Sequence, residues 1–204
     1  IIDTAALAIL GSDDLLVNLI RQGGSQSQIN DYVAWMLHKT KALGLKVINA
    51  GGSQAFKDGA ETFNLDDVLT DYSISSRQLL QTLQTAAVQT GLPHPVHVHC
   101  NNLGTPGNIQ TIVDTMEAAQ GLPMHLAHVQ FYGYGNEGKF GFSSAAAQLM
   151  AAFNRYPNIT MDVGQVLFGQ TVTLSGDVMA QFARRGDASP NKWHVWHAEN
   201  EGSG

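Results

Sequence analysis

The sequence has little of several things, and each shortage excludes something. A single cysteine, Cys100, among 204 residues leaves no possibility of an intrachain disulfide and fits a reducing compartment, with the cytoplasm the expected location. Charged residues make up only 14%, and eleven Lys and Arg against seventeen Asp and Glu give a net charge of −6. No basic run interrupts this balance, so the sequence lacks the electrostatic footprint of a nucleic-acid binder or of a protein that lies on an anionic membrane. No apolar run approaches the roughly 18 residues of a membrane span, and no signal peptide is visible. A small-molecule substrate is the expectation that remains. What is plentiful is apolar residues, at 44%, enough for a sizeable core and too many for a disordered chain. The chain opens at Ile1-Ile2-Asp3 without a methionine and stops at Glu201-Gly202-Ser203-Gly204, so it is expected to be a stretch cut from a longer protein, forming a single domain over residues 1–204.

Glycine is also abundant, at 21, mostly just after apolar runs, where strands hand over to loops in alternating α/β chains. The spacing predicts a helix over 31–43 and a strand over 45–50, closed by Gly51-Gly52. The pattern recurs as a Ser-capped helix over 75–90, stopped by Gly91 and followed by a strand over 96–100. Further helices over 108–119 and 143–154 precede strands over 124–130 and 158–163, and Gln26–Gln28 reads as a polar loop. Short apolar strands joined by helices imply a parallel sheet, either open and doubly wound or closed as a (β/α)8 barrel. Four or five units make only part of a barrel, since a complete one takes about 250 residues.

Both architectures carry their chemistry at the carboxyl ends of the strands. His97 and His99 fall on one face of the strand that holds them, either as inward metal ligands or as satisfied core histidines. His125 and His128 differ by three positions, which assigns them to opposite faces of a continuing strand, with His128 nearer the carboxyl end and His125 against a helix. Lys57 follows the strand that ends near Ala50; it is either a solvated loop lysine or one whose amine loses its charge by burial or modification. Asn101 and Asn102 either bind a substrate amide or terminate their strand. Tyr132 and Tyr134 either line a substrate channel or anchor a loop. Asp162 is a candidate hydrogen-bond acceptor for a histidine, and Cys100 faces the core.

A strand-end lysine, then the histidine of HCNN (His99), then the histidine of HV (His128) resembles the order in the metal-dependent amidohydrolase superfamily. Longer strings sharpen the likeness: Val47–Gly52 (VINAGG), Pro95–Asn108 (PVHVHCNNLGTPGN), His125–Gly135 (HLAHVQFYGYG) and Asp162–Gly176 (DVGQVLFGQTVTLSG). Together they resemble the A subunits of formylmethanofuran dehydrogenase and of the formyltransferase/hydrolase complex, over essentially the whole chain, as a central fragment. The resemblance implies an amidohydrolase-type TIM barrel, here partial. It implies two zinc ions bridged by a carboxylated Lys57, with His99 and His128 as further metal ligands. It implies hydrolysis, or reverse condensation, of the N-formyl amide of formyl-methanofuran or formyl-methylofuran, in one-carbon metabolism of the methanogenic or methylotrophic kind, with the other subunits of such a complex as partners. The first-strand HxH and the late aspartate of the superfamily have no counterpart in the sequence. His97-Val98-His99 follows the lysine and so is not that first-strand pair, and His197-Ala198-Glu199-Asn200 reads as a packing or loop segment. A dihydroorotase- or hydantoinase-like cyclic amidase, and a non-catalytic scaffold subunit, are the alternatives.

Overall fold

The computed structural model describes residues 4–48, 50, 62–69, 72–137 and 143–164. Within them lie β1 (Leu7–Ile9), α1 (Asp14–Arg21), α2 (Gln26–Thr40), β2 (Gly44–Ile48), α3 (Ser76–Gln89) and β3 (Val96–His99). These are followed by α4 (Ile109–Ala118), β4 (Met124–Leu126), a 3-10 turn (Val129–Tyr132), β5 (Tyr134–Gly135), β6 (Ser143–Ser144), α5 (Ala146–Arg155) and β7 (Ile159–Met161).

Five strands form one sheet in the order β1-β2-β3-β4-β7, every neighbouring pair parallel, while β5 and β6 pair antiparallel apart from it. The strands near Val47, Val98, Ala127 and Met161 are therefore consecutive and parallel, as the repeating units required. Among the described residues the order never reverses, so the strands there show none of the switch points that define a doubly wound fold. Successive crossovers of one hand then lay their helices on one side of the sheet. The helices do pack in chain order, α1 on α2, α2 on α3, α3 on α4 and α4 on α5.

The period of two along each strand divides the sheet into two unlike faces. Leu45, Val47, Val96, Val98, Met124 and Leu126 are buried, and belong to one core with Leu79, Leu80 and Leu83 of α3 and Ile112 and Met116 of α4. The alternating positions Lys46, Ile48, His97, His99 and His125 are only half-buried. Each fully buried Leu or Met contributes about 1.5–3 kcal/mol, so the helix-facing side supplies the stability and the other side is left to carry polar groups.

Local sequence explains where the elements begin and end. Asp13 accepts a hydrogen bond from Leu16 N at the start of α1, and Ser75 accepts one from Gln78 N at the start of α3. Gly91, at φ 72°, adopts the left-handed conformation just past α3. Gln26–Gln28 is not a loop but the first turn of α2. There Ser25 and Gln28 form a reciprocal capping box, so polar residues start the helix instead of preceding it. The strand expected over 124–130 stops at Leu126, because the chain turns left-handed at His128 (φ 38°) and enters the 3-10 turn. Among the described residues no helix is long and apolar enough to cross a membrane.

Candidate functional site

Strand register builds the polar face in rows. Lys46 is the partner of His97, His97 of His125, and His125 of Thr160, so four adjacent strands present these residues side by side. One step toward the carboxyl ends, Ile48 partners His99. In the first row Lys46 Nζ lies 2.7 Å from His97 Nδ1, and His125 Nδ1 lies 2.9 Å from Thr160 Oγ1. The carboxylate of Asp162, just past β7, reaches both imidazoles: Oδ2 is 3.0 Å from His125 Nε2 and 3.8 Å from His97 Nε2. In the second row His99 Nδ1 and His128 Nε2 stand 2.8 Å apart, with the rings edge to face.

His128 reaches this row by leaving the strand. In a continuing strand it would face the opposite side from His125, as the sequence implied, and His125 would pack toward a helix. The left-handed backbone at His128 removes that alternation, and both histidines meet the polar face. Asp162 Oδ1 accepts the His128 backbone N–H at 2.6 Å. The Tyr132 ring stacks on that of His128 and meets His99 edge-on, while its hydroxyl donates to Cys100 O at 2.9 Å.

The electrostatics favour uncharged imidazoles. Burial, then the neighbouring Lys46 and His125, lowers His97 to about 4; burial, then His128, Lys46 and His97, lowers His99 to about 4. Burial lowers His128 as well, and lowers the Lys46 ammonium against the opposing pull of Asp162. For Asp162 burial acts upward, but the His128 N–H and the His125 ring outweigh it and hold the carboxyl below its usual range. Neutral imidazoles and an ionised carboxylate are the forms that bind divalent metal. His97, His125 and Asp162 each offer a ligand atom, all within 4.8 Å of one another. Nδ1 of His128 is buried with no hydrogen-bond partner, the condition of a group whose companion is a water or an ion.

The structure brings together two of the three metal ligands the resemblance implied, His99 and His128. Lys57, the third, lies outside the described residues, as does His197. Asn101 is buried and donates to Ser76 Oγ, whose own hydroxyl bonds Ala50 O. Asn102, at φ 60°, accepts from Phe63 N at 2.8 Å and donates to Asn64 Oδ1 and Thr111 Oγ1. The Asn101 amide thus ties the end of β3 to the start of α3, and the Asn102 amide ties it to Phe63, Asn64 and α4. Tyr132 and Tyr134 are buried at 0% and 2% exposure. Tyr132 backs the two histidines. Sequence reasoning missed Lys46 and the ring of His125. A period-two count from His97 and the strand register would have placed Lys46 on the histidine face, but register is a tertiary fact.

No protein-family model matches the chain. The A subunit of the formyltransferase/hydrolase complex Fhc from Methylorubrum extorquens is 46% identical over 209 residues, which take in 100% of this chain and 38% of that protein. The protein FwdA of Methanocaldococcus jannaschii is 31% identical over 187 residues, 86% of this chain and 33% of FwdA. Among solved structures, the crystal structure of the formyltransferase/hydrolase complex FhcABCD from Methylorubrum extorquens, in complex with methylofuran, matches with a TM-score of 0.80 at 48% identity. That match covers 90% of this chain and 34% of the other. The chain thus spans between a third and two-fifths of the length of these relatives.

Proposed function

For a chain homologous to the A subunit of Fhc and to FwdA, we propose that the protein is a metal-dependent amidohydrolase that splits the N-formyl amide of a formylated furan amine of the methylofuran type into formate and the free amine, or joins the two in reverse. The observation that carries this is the His99–His128 pair, two neutral imidazoles 2.8 Å apart at the carboxyl ends of adjacent parallel strands. Zinc fits the site by donor chemistry, since two neutral imidazole nitrogens, His99 Nδ1 and His128 Nε2, face each other there. Bound there, two zinc ions would supply Lewis acidity at the formyl carbonyl and acidify a water enough to attack at neutral pH.

The chain's own residues do the rest. His99 and His128 hold the metal with lone pairs that burial keeps unprotonated, and Tyr132 fixes both rings by contact. A third ligand is a lysine carboxylated by carbon dioxide, a modification that requires the neutral amine. Lys57 is the lysine implied by sequence resemblance. Lys46 is favoured instead by two observations: it stands in the histidine row with Nζ 2.7 Å from His97, and burial lowers its ammonium. Closure of the sheet into a TIM barrel would turn this polar face into an interior and exclude bulk water. We infer companion subunits of the kind found in FhcABCD, and a cytoplasmic setting.

The test is zinc content and formate release on the intact protein, offered a formylated furan amine and, separately, dihydroorotate and hydantoin. Lys46→Ala should lose zinc and turnover, whereas Lys57→Ala should keep both; the reverse result returns the role to Lys57. Turnover of the cyclic amides alone would identify a hydantoinase-like enzyme. A protein that binds no zinc and releases no formate would be a scaffold.

A further inference from the structure

We propose that Asp162 is the positioning residue of this centre: from 34 residues away in sequence, it holds His128 in the left-handed turn that aims the imidazole at His99. The proposal rests on reading His99 and His128 as metal ligands.

Asp162 grips the end of β4 through three groups. Its backbone N–H donates to Leu126 O at 3.0 Å, its carboxylate Oδ1 accepts from His128 N at 2.6 Å, and its carbonyl accepts from Val129 N at 3.1 Å. The two backbone bonds continue the parallel ladder between β4 and β7 past its last paired residues, and any side chain at 162 could make them. The carboxylate bond is different, because it satisfies the N–H of the one residue that has left the ladder. On the other side Ala127 N donates to Val98 O at 2.9 Å, so the chain is held by β3 up to 127 and by Asp162 from 128 onward. His128 sits at φ 38° and ψ 55°, a conformation that a residue with a Cβ rarely adopts without an external anchor. Without that anchor the backbone relaxes toward the extended form, and the ring turns to the side opposite His125.

The second carboxylate oxygen locks the first. Oδ2 lies 3.0 Å from His125 Nε2, and His125 is fixed in turn at Nδ1 by Thr160 Oγ1. A carboxylate held at both oxygens cannot rotate away from the His128 N–H. This is the arrangement by which an outer carboxylate orients a ligand, except that here it works through the ligand's backbone and not through its ring.

The test is the affinity of the intact protein for zinc alone, measured by competition with a chelator, alongside thermal melting of the zinc-free protein. Asp162→Ala should weaken zinc about 10- to 100-fold. Asp162→Asn keeps a carbonyl oxygen for the His128 N–H, and an amide facing His125 is accommodated by the other imidazole tautomer, so it should restore affinity to within about threefold of the original. A merely structural role would lower the melting temperature in step with affinity and would give no rescue by asparagine. Where Asp162→Ala does not fold, Asp162→Glu decides, since it keeps the charge but displaces the carboxylate by one methylene; weakened zinc is expected, and unchanged zinc overturns the proposal. Loss of a whole metal equivalent in both Asp162→Asn and His125→Ala would make Asp162 a direct ligand and also overturn it. His99→Ala separates the two levels: if it leaves zinc unchanged, the ligand reading has failed, whereas if it loses zinc while Asp162→Ala does not, only the positioning role has failed.

Discussion

Cys100 stands next to the site and takes no part in it. It is completely buried one residue past β3, and burial pushes its thiol up to about 12, against the smaller pull of a hydrogen bond with Thr115. A thiol that is neither ionised nor accessible does not attack disulfides. Ellman's reagent should leave the native protein unlabelled and titrate one thiol after denaturation; prompt labelling of the native form would contradict the burial. The alternation His97, Val98, His99, Cys100 makes this orientation legible in the sequence, since period two fixes which side chains share a face. The same rule misdirects the reading of His125 and His128. It assumes that the strand continues, whereas the strand ends at Leu126, ahead of the left-handed turn at His128, whose N–H bonds the carboxylate of Asp162, 34 residues further on. The roles of Asn101, Asn102 and Tyr132 are illegible for a similar reason. Each has partners on other elements, Ser76 of α3 for Asn101, Thr111 of α4 for Asn102 and His99 of β3 for Tyr132, whose proximity the sequence does not encode locally.

Among the elements, α2 shows how much a terminus can hide. Its apolar positions make the helix from Asp31 onward visible, while the polarity of the first turn imitates a loop. Yet Ser25 and Gln28 have the S-x-x-Q spacing of a capping box, with Ser25 N donating to Gln28 Oε1 at 2.8 Å and Gln28 N to Ser25 Oγ at 3.3 Å. Ser25→Ala should therefore destabilise the fold by about 1 kcal/mol in urea denaturation, without changing zinc content, because α2 lies on the helix side of the sheet. A loss under about 0.3 kcal/mol would show that the cap is not a determinant of stability. Helix α1, absent from the expected elements, carries an equally clear local signal in the Asp13 cap ahead of Leu16, Val17 and Ile20. The later helix–strand units are visible in periodicity with boundaries off by a few residues, because fraying and capping geometry, not pattern, set the ends.

At the scale of the whole molecule, the described helices cover one face of the sheet, and among the described residues no helix packs on the other. The helices bury Leu45, Val47, Val98 and Leu126, whereas on edge strand β1 Leu7 and Ile9 are 38% and 51% exposed. Among the described residues neither β1 nor β7 has a partner on its outer side. Exposed apolar edges of this kind are normally paired or covered. The matched chain of the FhcABCD structure is longer, since this chain covers 34% of it; on the barrel proposed above, further strands of such a chain would pair these edges. Ligand arithmetic points the same way. On the two-metal reading proposed above, His99, His128 and one carboxylated lysine would leave the ions incomplete, since a catalytic zinc usually has three protein ligands and a water. A polypeptide of residues 1–204 expressed alone should therefore release no formate from a formylated furan amine, and should bind a hydrophobic dye through Leu7 and Ile9 of the unpaired strand β1. The intact protein should release formate and bind little dye. Formate release by the 204-residue chain at the rate of the intact protein would refute both the incomplete ligand set and the two-metal reading on which it depends.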